Sequence, residues 1–291
     1  MMKILITGSK GQVGHCLVNQ LSTQADILAV DRDELDITDK NAVFDTVKKF
    51  RPDYIINAAA HTAVDKAEDE VELSYAINRD GPTYLAQAAS AIGAVILHIS
   101  TDYVFDGESE HEYEECMPTA PQGVYGKSKL AGEQAVASSA DRYLILRTAW
   151  VFGEHGHNFV KTMLKLGSTR DNISVVSDQV GGPTYAGDIA TALIGMVNYI
   201  DSGKAPEWGV YHFSGMPHVS WFEFASEIFS QAKEKNVLES VPCLSPIPTS
   251  AYPTPAKRPS NSRLNCEKIK RQFNISPSDW QKALNNIQAY K

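Results

Sequence analysis

KILITGSKGQVG, residues 3–14, decides the fold: a short apolar run passes straight into glycines at 8, 11 and 14. Glycines at i, i+3 and i+6 allow a tight turn, close approach of backbone to a pyrophosphate, and tight packing of the following helix on the strand. The helix that opens there offers its free N–H groups and dipole to phosphate. Any tight turn between strand and helix uses glycine, so the loop needs its context. That context is a second apolar run ending at Asp31, 17 residues after Gly14, where a carboxylate meets adenosine ribose hydroxyls. Arg32 follows and suits a 2′-phosphate instead, so NADH and NADPH both stay open. Asp36-Ile37 reads equally as an adenine contact or as the approach to a helix N-cap at Asp39.

Outward from this loop, β-type runs at 3–7, 26–31, 53–58, 94–100 and 143–148 alternate with helical patterns at 11–22, 39–50, 66–92 and 125–139. The runs are apolar without clean alternation, as strands buried on both faces are. This pattern specifies an α/β fold with a doubly wound parallel (Rossmann-type) sheet over residues 1–150. After 150 the rhythm breaks into helices at 158–166, 185–199 and 220–235, strands at 173–176 and 209–214, and a tail helix at 276–289. Pro242, Pro246, Pro248, Pro253, Pro255 and Pro259 argue against regular structure between the last two helices. Residues 151–291 are therefore expected to form a smaller mixed α/β substrate domain covering the open sheet edge, with some elements joining the first sheet.

Composition excludes several classes. With 27 basic against 35 acidic residues the chain carries −8 at pH 7, which disfavours nucleic acid and anionic membrane surfaces as partners. No apolar run spans a bilayer and the N-terminus lacks a secretory pattern, so a cytoplasmic location is expected. Cys16, Cys116, Cys243 and Cys266 are scattered and read as free thiols. His155 and His157 lack a third ligand, so no metal site is expected there.

The chemistry sits at Thr101, Tyr125 and Lys129. Tyr125 and Lys129 are four residues apart and share one helix face. A phenol titrates near ~10, and bringing it down by ~3 units takes about 4 kcal/mol, which a cation one turn away and a nicotinamide ring together supply. Lys129 also reaches the nicotinamide ribose. Thr101, at the carboxyl end of the fourth strand, meets a substrate oxygen beside Tyr125. Lys257, Arg258 and Arg263, in a proline-fixed segment of an acidic chain, read as a clamp for a diphosphate.

These residues lie in blocks that run through nearly the whole chain: GSKGQVG (8–14), NAAAHTAVDKAE (57–68), STDYVFDG (100–107), YGKSKLAGE (125–133), RTAWVFG (147–153), DQVGGPT (178–184) and PTSAYPTPAKRPSNSRL (248–264). In them the chain resembles the extended short-chain dehydrogenase/reductases, and among these the reductases of dTDP-linked 4-keto sugars. The resemblance implies NAD(P)H-dependent reduction of dTDP-4-dehydro-6-deoxy-L-mannose to dTDP-L-rhamnose, a precursor for lipopolysaccharide O-antigen. It implies Tyr125 as proton donor, Lys129 as its partner and cofactor ligand, and Thr101 as the tuning hydroxyl. It implies Thr101, Asp102 and Trp150 as substrate contacts, and Gly11, Gln12, Val13, Asp31, Asp36, Ile37, Ala60, His61 and Thr62 as lining the cofactor. It also brings in a homodimer bridged by Mg²⁺ on carboxylates, one of them just after the glycine loop. His15-Cys16 stand there instead, and Mg²⁺ prefers oxygen, so the residues do not support the metal. Two other readings share the motifs: a sugar-nucleotide epimerase that recycles bound NAD, and a catalytically silent NADP-binding regulatory subunit. Consumption of added NAD(P)H and turnover separate the three.

Overall fold

The computed structural model of the chain describes residues 1–290. Its first half runs β1 (Lys3–Thr7), α1 (Gln12–Leu21), β2 (Asp26–Val30), α2 (Lys40–Phe50), β3 (Tyr54–Asn57), α3 (Val64–Ala67), α4 (Val71–Tyr75), α5 (Gly81–Ile92), β4 (Val95–Thr101), α6 (Val124–Ser139) and β5 (Tyr143–Thr148). The second half supplies β6 (Val151–Phe152), α7 (Phe159–Gly167), β7 (Asn172–Val176), β8 (Val180–Gly181), β9 (Thr184–Tyr185), α8 (Ala186–Asp201), β10 (Gly209–His212), α9 (Trp221–Glu234), α10 (Glu267–Phe273) and α11 (Trp280–Leu284).

Among the described residues the largest sheet is six-stranded and parallel, in the order β10-β5-β4-β3-β1-β2. The chain passes from β1 outward to β2 and then returns to β3 on the other side, which opens a crevice at the carboxyl ends of β1 and β3. Each strand splits its side chains between two cores. Ile4 and Ile6 face α1, α8 and α10, whereas Leu5 faces α2, α5 and α6. Burial of each such side chain contributes roughly 1.5–3 kcal/mol, so both faces lock the register that lines up the strand ends. A third core of Phe152, Val160, Leu164, Ile173, Phe224, Ile228 and Trp280 holds α7, α9 and α11 together apart from the sheet.

Three expectations need correction. The pattern over 66–92 is not one helix: α3 and α4 are short, and a π-helical turn at Ala76–Asp80 precedes α5. The Asn78 side chain explains the break, because it accepts from His61 N and donates to the His61 carbonyl and the Ser128 hydroxyl. The proline-rich stretch carries a strand after all, at Cys243–Ile247, parallel to β7 with Pro246 opposite Val175. It has one partner strand only, so a proline there removes a donor facing outward. The tail is not one helix but α11 followed by a 3₁₀ turn at Ile287–Tyr290. The second half also contributes to the first sheet, as its edge strand β10 beside β5.

Candidate active site

The crevice at the ends of β1 and β3 is built by the glycine loop. Gly8 has φ +69°, and a Cβ on it would sit 2.6 Å from Ala59 N; a Cβ on Gly14 would sit 2.0 Å from the Gly8 carbonyl oxygen. Only glycine fits at either place. Gly11 caps α1 with extended backbone and no side-chain hydrogen bond, which leaves the first N–H groups, at Gln12 and Val13, facing the loop. A pyrophosphate fits this bare, glycine-lined helix start. The Gln12 side chain turns away and accepts from Asn158 at 3.0 Å, tying the loop to the segment before α7.

Asp31 ends β2 beside this loop, accepting from Lys10 N at 2.9 Å and from Arg32 N at 2.8 Å. Its carboxylate is thus fixed at the crevice rim, with the Arg32 side chain exposed next to it. Asp36 accepts from Thr38 N at 2.9 Å and Thr38 Oγ1 at 2.7 Å, and these bonds hold its carboxyl below the usual range. Ile37 is buried against Gly81, and Asp39 caps α2 through Ala42 N. Ala60, His61 and Thr62 follow β3 across the crevice from the loop. His61 is pinned on both ring nitrogens, by Ser74 Oγ at 3.0 Å and Glu70 Oε2 at 3.0 Å, so it shapes the loop.

Thr101 ends β4 opposite Thr148 of β5, and α6 delivers Tyr125 and Lys129 to it. Glu68 accepts from Val124 N at 2.9 Å and so caps α6 from the loop after α3. The Tyr125 side chain lies beside Thr101, and its ring lies edge-on to Tyr103 with centroids 5.3 Å apart. Thr101 Oγ1 also donates to Asp102 Oδ1 at 3.0 Å. Lys129 is buried and donates to the Ile99 carbonyl at 2.6 Å. Burial brings its amine down to about 8, with Glu133 working in the opposite sense. Here the structure corrects a simple expectation. In the chain by itself burial pushes the Tyr125 phenol up, with Thr101 opposing, while Lys129 donates to the Ile99 carbonyl. Asp102 is buried too, and desolvation raises its carboxyl to about 6 despite the Ser262 and Thr101 hydroxyls.

The clamp residues separate. Arg258 reaches the catalytic end: its Nη2 donates to Asp65 Oδ2 at 2.6 Å and its Nη1 to Tyr103 OH at 3.1 Å. Lys257 pairs with Glu108 at the surface, 2.9 Å away. Arg263 donates to Asn261 Oδ1 and the Glu110 carbonyl and lines an open cavity of about 440 Å³ bounded by Gly107, Ser109, Val180 and Ser260. Trp150 sits at φ +49° with its indole stacked on Trp221, centroids 3.5 Å and planes 8° apart. Trp221 in turn donates to Gln179, which donates to Thr249. Asp65, Tyr103, Gln179 and Trp221 were missed by the sequence reading. Three lie inside quoted blocks, which was the available signal; Trp221 lies in none.

The implied magnesium does not fit. The residues after the glycine loop present an imidazole against another, His15 and His155 with centroids 3.6 Å apart and planes tilted by 38°, and a buried thiol, Cys16. Among the described residues no cluster of three or more His, Cys, Asp or Glu is arranged for a metal.

A doubly wound sheet with this glycine loop and a Thr-Tyr-Lys set at the end of its fourth strand defines an oxidoreductase of the extended short-chain dehydrogenase/reductase class. More narrowly, residues 2–290 match the model of the RmlD substrate binding domain, and the chain belongs to that family. It is 51% identical over 292 residues to a dTDP-4-dehydrorhamnose reductase of Aggregatibacter actinomycetemcomitans, covering 100% of this chain and 99% of the relative. A crystal structure of a dTDP-4-dehydrorhamnose reductase from Clostridium acetobutylicum superposes with TM-score 0.90 at 40% identity, over 99% of this chain and 98% of that one. One from Bacillus anthracis in complex with NADP gives TM-score 0.90 at 38% identity, over 100% of both chains.

Proposed function

We propose that this chain is an NAD(P)H-dependent reductase of the 4-keto group of dTDP-4-dehydrorhamnose, giving dTDP-L-rhamnose. The observation that carries the reading is the convergence of Thr101, at the carboxyl end of β4, with Tyr125 of α6 beside it and Lys129 buried one helical turn on. The cofactor, bound along Gly8, Gly11, Gln12, Val13, Gly14, Asp31 and Arg32, with Asp36, Ile37 and the Ala60-His61-Thr62 loop alongside, supplies the hydride. Tyr125 then gives its proton to the forming C4 hydroxyl. Burial of the phenol keeps that proton in place until substrate and cofactor recharge the site. Thr101 and Asp102 orient the sugar, and Lys129 holds cofactor ribose and the charge balance. Trp150 forms the sugar platform, and Arg258, with Arg263 further out, holds the diphosphate.

Within this reading residues 1–150 serve mainly the cofactor and 151–291 mainly the sugar nucleotide, although α8 packs on the first sheet and β10 joins it; Lys291 lies outside the described residues. Among the described residues no helix is long and apolar enough to cross a membrane. A cytoplasmic homodimer without nucleic-acid or membrane partners completes the proposal. The test is stoichiometry: purified protein, dTDP-4-dehydrorhamnose and NADPH or NADH should yield one oxidised cofactor per product. Product formed from a dTDP-sugar with no net cofactor use makes it an epimerase; no turnover with either cofactor makes it a binding subunit.

A further inference from the structure

Tyr125, Lys129 and Glu133 stand at four-residue intervals on α6 and so share one face of it. Glu133 is 4% exposed and sits in a two-pronged hydrogen bond from Arg147, Nε to Oε1 at 2.9 Å and Nη2 to Oε2 at 2.7 Å. Arg147 belongs to β5, one residue before Thr148, the register partner of Thr101. The ion pair therefore joins the helix that carries Tyr125 and Lys129 to the strands that carry Thr101. Arg147 is held in turn by the Phe105 ring, 5.0 Å below its guanidinium, and by His212 Nε2 at 3.5 Å.

The pair also sets the charge around a buried amine. Facing Lys129 and the Glu133–Arg147 pair are Tyr125 from α6, His98 from β4 and His212 from β10, with Glu115 and Lys268 behind Arg147 on the His212 side, away from Lys129; Asp102 and Tyr103 lie beyond, against Tyr125. Burial holds both histidines well below their ordinary range, so they bring no charge near neutrality. What remains is one carboxylate, one turn from Lys129, with a guanidinium behind it.

We infer that Glu133 is a positioning residue of the active site: from within the Arg147 fork, one turn along the same face of α6, its carboxylate keeps the buried Lys129 amine charged. This rests on the reading of Lys129 as the partner of Tyr125. A simple structural brace would need the fork but not its charge. Glu133 favours the ammonium while desolvation opposes it, and Arg147 weakens that help by lying on the far side of the same carboxylate.

The experiment follows the Lys129 signal by NMR in the protein without added ligands, labelled with [ε-¹³C]lysine and assigned by its disappearance in Lys129→Met. The parent should titrate near 8. Glu133→Gln keeps size and loses charge, so the midpoint should fall by roughly one pH unit. Glu133→Asp should restore most of it. If Glu133→Gln does not fold, Glu133→Gln/Arg147→Met leaves no unpaired buried charge and should show a smaller fall in the same direction. An unmoved midpoint in whichever of these folds overturns the inference. The alkaline limb of kcat/KM is measured beside it and should follow the midpoint down. A midpoint that falls while the limb stays supports the hold of Glu133 on Lys129 and overturns instead the reading of Lys129 as the partner of Tyr125.

Discussion

Arg258 and Asp65, 193 positions apart in the chain, form an ion pair of 2.6 Å beside Tyr103, the edge-on neighbour of Tyr125. Asp65 also accepts from Ala256 N at 3.2 Å, so one carboxylate from the first turn of α3 fixes both the backbone and the cation of the proline-rich segment. Arg258 is therefore neither a solvated surface charge nor buried out of reach. Its side chain keeps 26% of its surface open, with three of its five N–H donors unspent. A diphosphate can be gripped without breaking the pair.

Arg258→Ala should accordingly weaken sugar-nucleotide binding by roughly 2 kcal/mol, about 30-fold in KM, with a smaller fall in kcat because the diphosphate is remote from C4. Affinity for NADPH should hardly change. Asp65→Ala should raise KM less, since it frees the guanidinium without removing it. Arg263→Ala should also raise KM if its cavity takes part of the nucleotide. Steady-state kinetics with independently titrated cofactor decides; KM unchanged in both arginine variants would return them to the surface.

The first five strands were legible to within a residue because each carries an apolar centre, as Ile4–Ile6 in β1 and Leu144–Leu146 in β5, and burial on both faces leaves no other reading of them. The Thr101, Tyr125 and Lys129 set was legible because helical spacing and strand ends are local facts. Asp65 and Trp221 were not. Their roles arise from pairing across 193 and 71 positions, with Arg258 and Trp150, and no local pattern encodes that. The π-helical turn at Ala76–Asp80 was hidden for the same reason: Asn78 is tied to His61 and Ser128, which lie far from it in sequence. Pro246 misled because an edge strand tolerates what a central one does not.

Tyr125→Phe removes one oxygen from a buried ring whose packing against Tyr103 is otherwise kept. Turnover should drop about 10²-fold or more, the usual contribution of a general acid, while the NADPH dissociation constant stays near the parental value. Near-parental kcat in the phenylalanine variant would show that another group delivers the proton.

The crevice rim places a fixed carboxylate, Asp31, beside an exposed guanidinium, Arg32. The first repels a 2′-phosphate and the second attracts it, so NADH and NADPH should both serve, with a ratio of kcat/KM well under ~10³, or about 4 kcal/mol. Asp31→Asn should shift the ratio toward NADPH and Arg32→Ala toward NADH. A discrimination beyond that limit, or two variants that shift it the same way, would mean the rim charges do not read the phosphate.

Asp102 is the residue at which function should cost stability. It is 4% exposed, its Oδ2 has no hydrogen-bond partner among the described residues, and burial raises its carboxyl from 3.8 to about 6. The native state therefore binds its proton more tightly than the unfolded chain does. Stability from this group is fully present below about pH 4 and is lost as the pH rises to about 6, where folding must accommodate a desolvated carboxylate. An asparagine in its place would carry no such charge and could still accept the Thr101 hydrogen bond. Asp102→Asn should thus be close to neutral at pH 4 and stabilising by about 1–3 kcal/mol at pH 8, or a few degrees in Tm for a chain of this size. Since other titrating groups are common to both proteins, the pH dependence of the difference isolates Asp102. Thermal unfolding of parent and variant at the two pH values measures it, and a difference that does not grow with pH would remove the raised carboxyl. If the variant is more stable yet slower with the sugar nucleotide, the buried carboxylate is kept for the substrate it meets beside Tyr125.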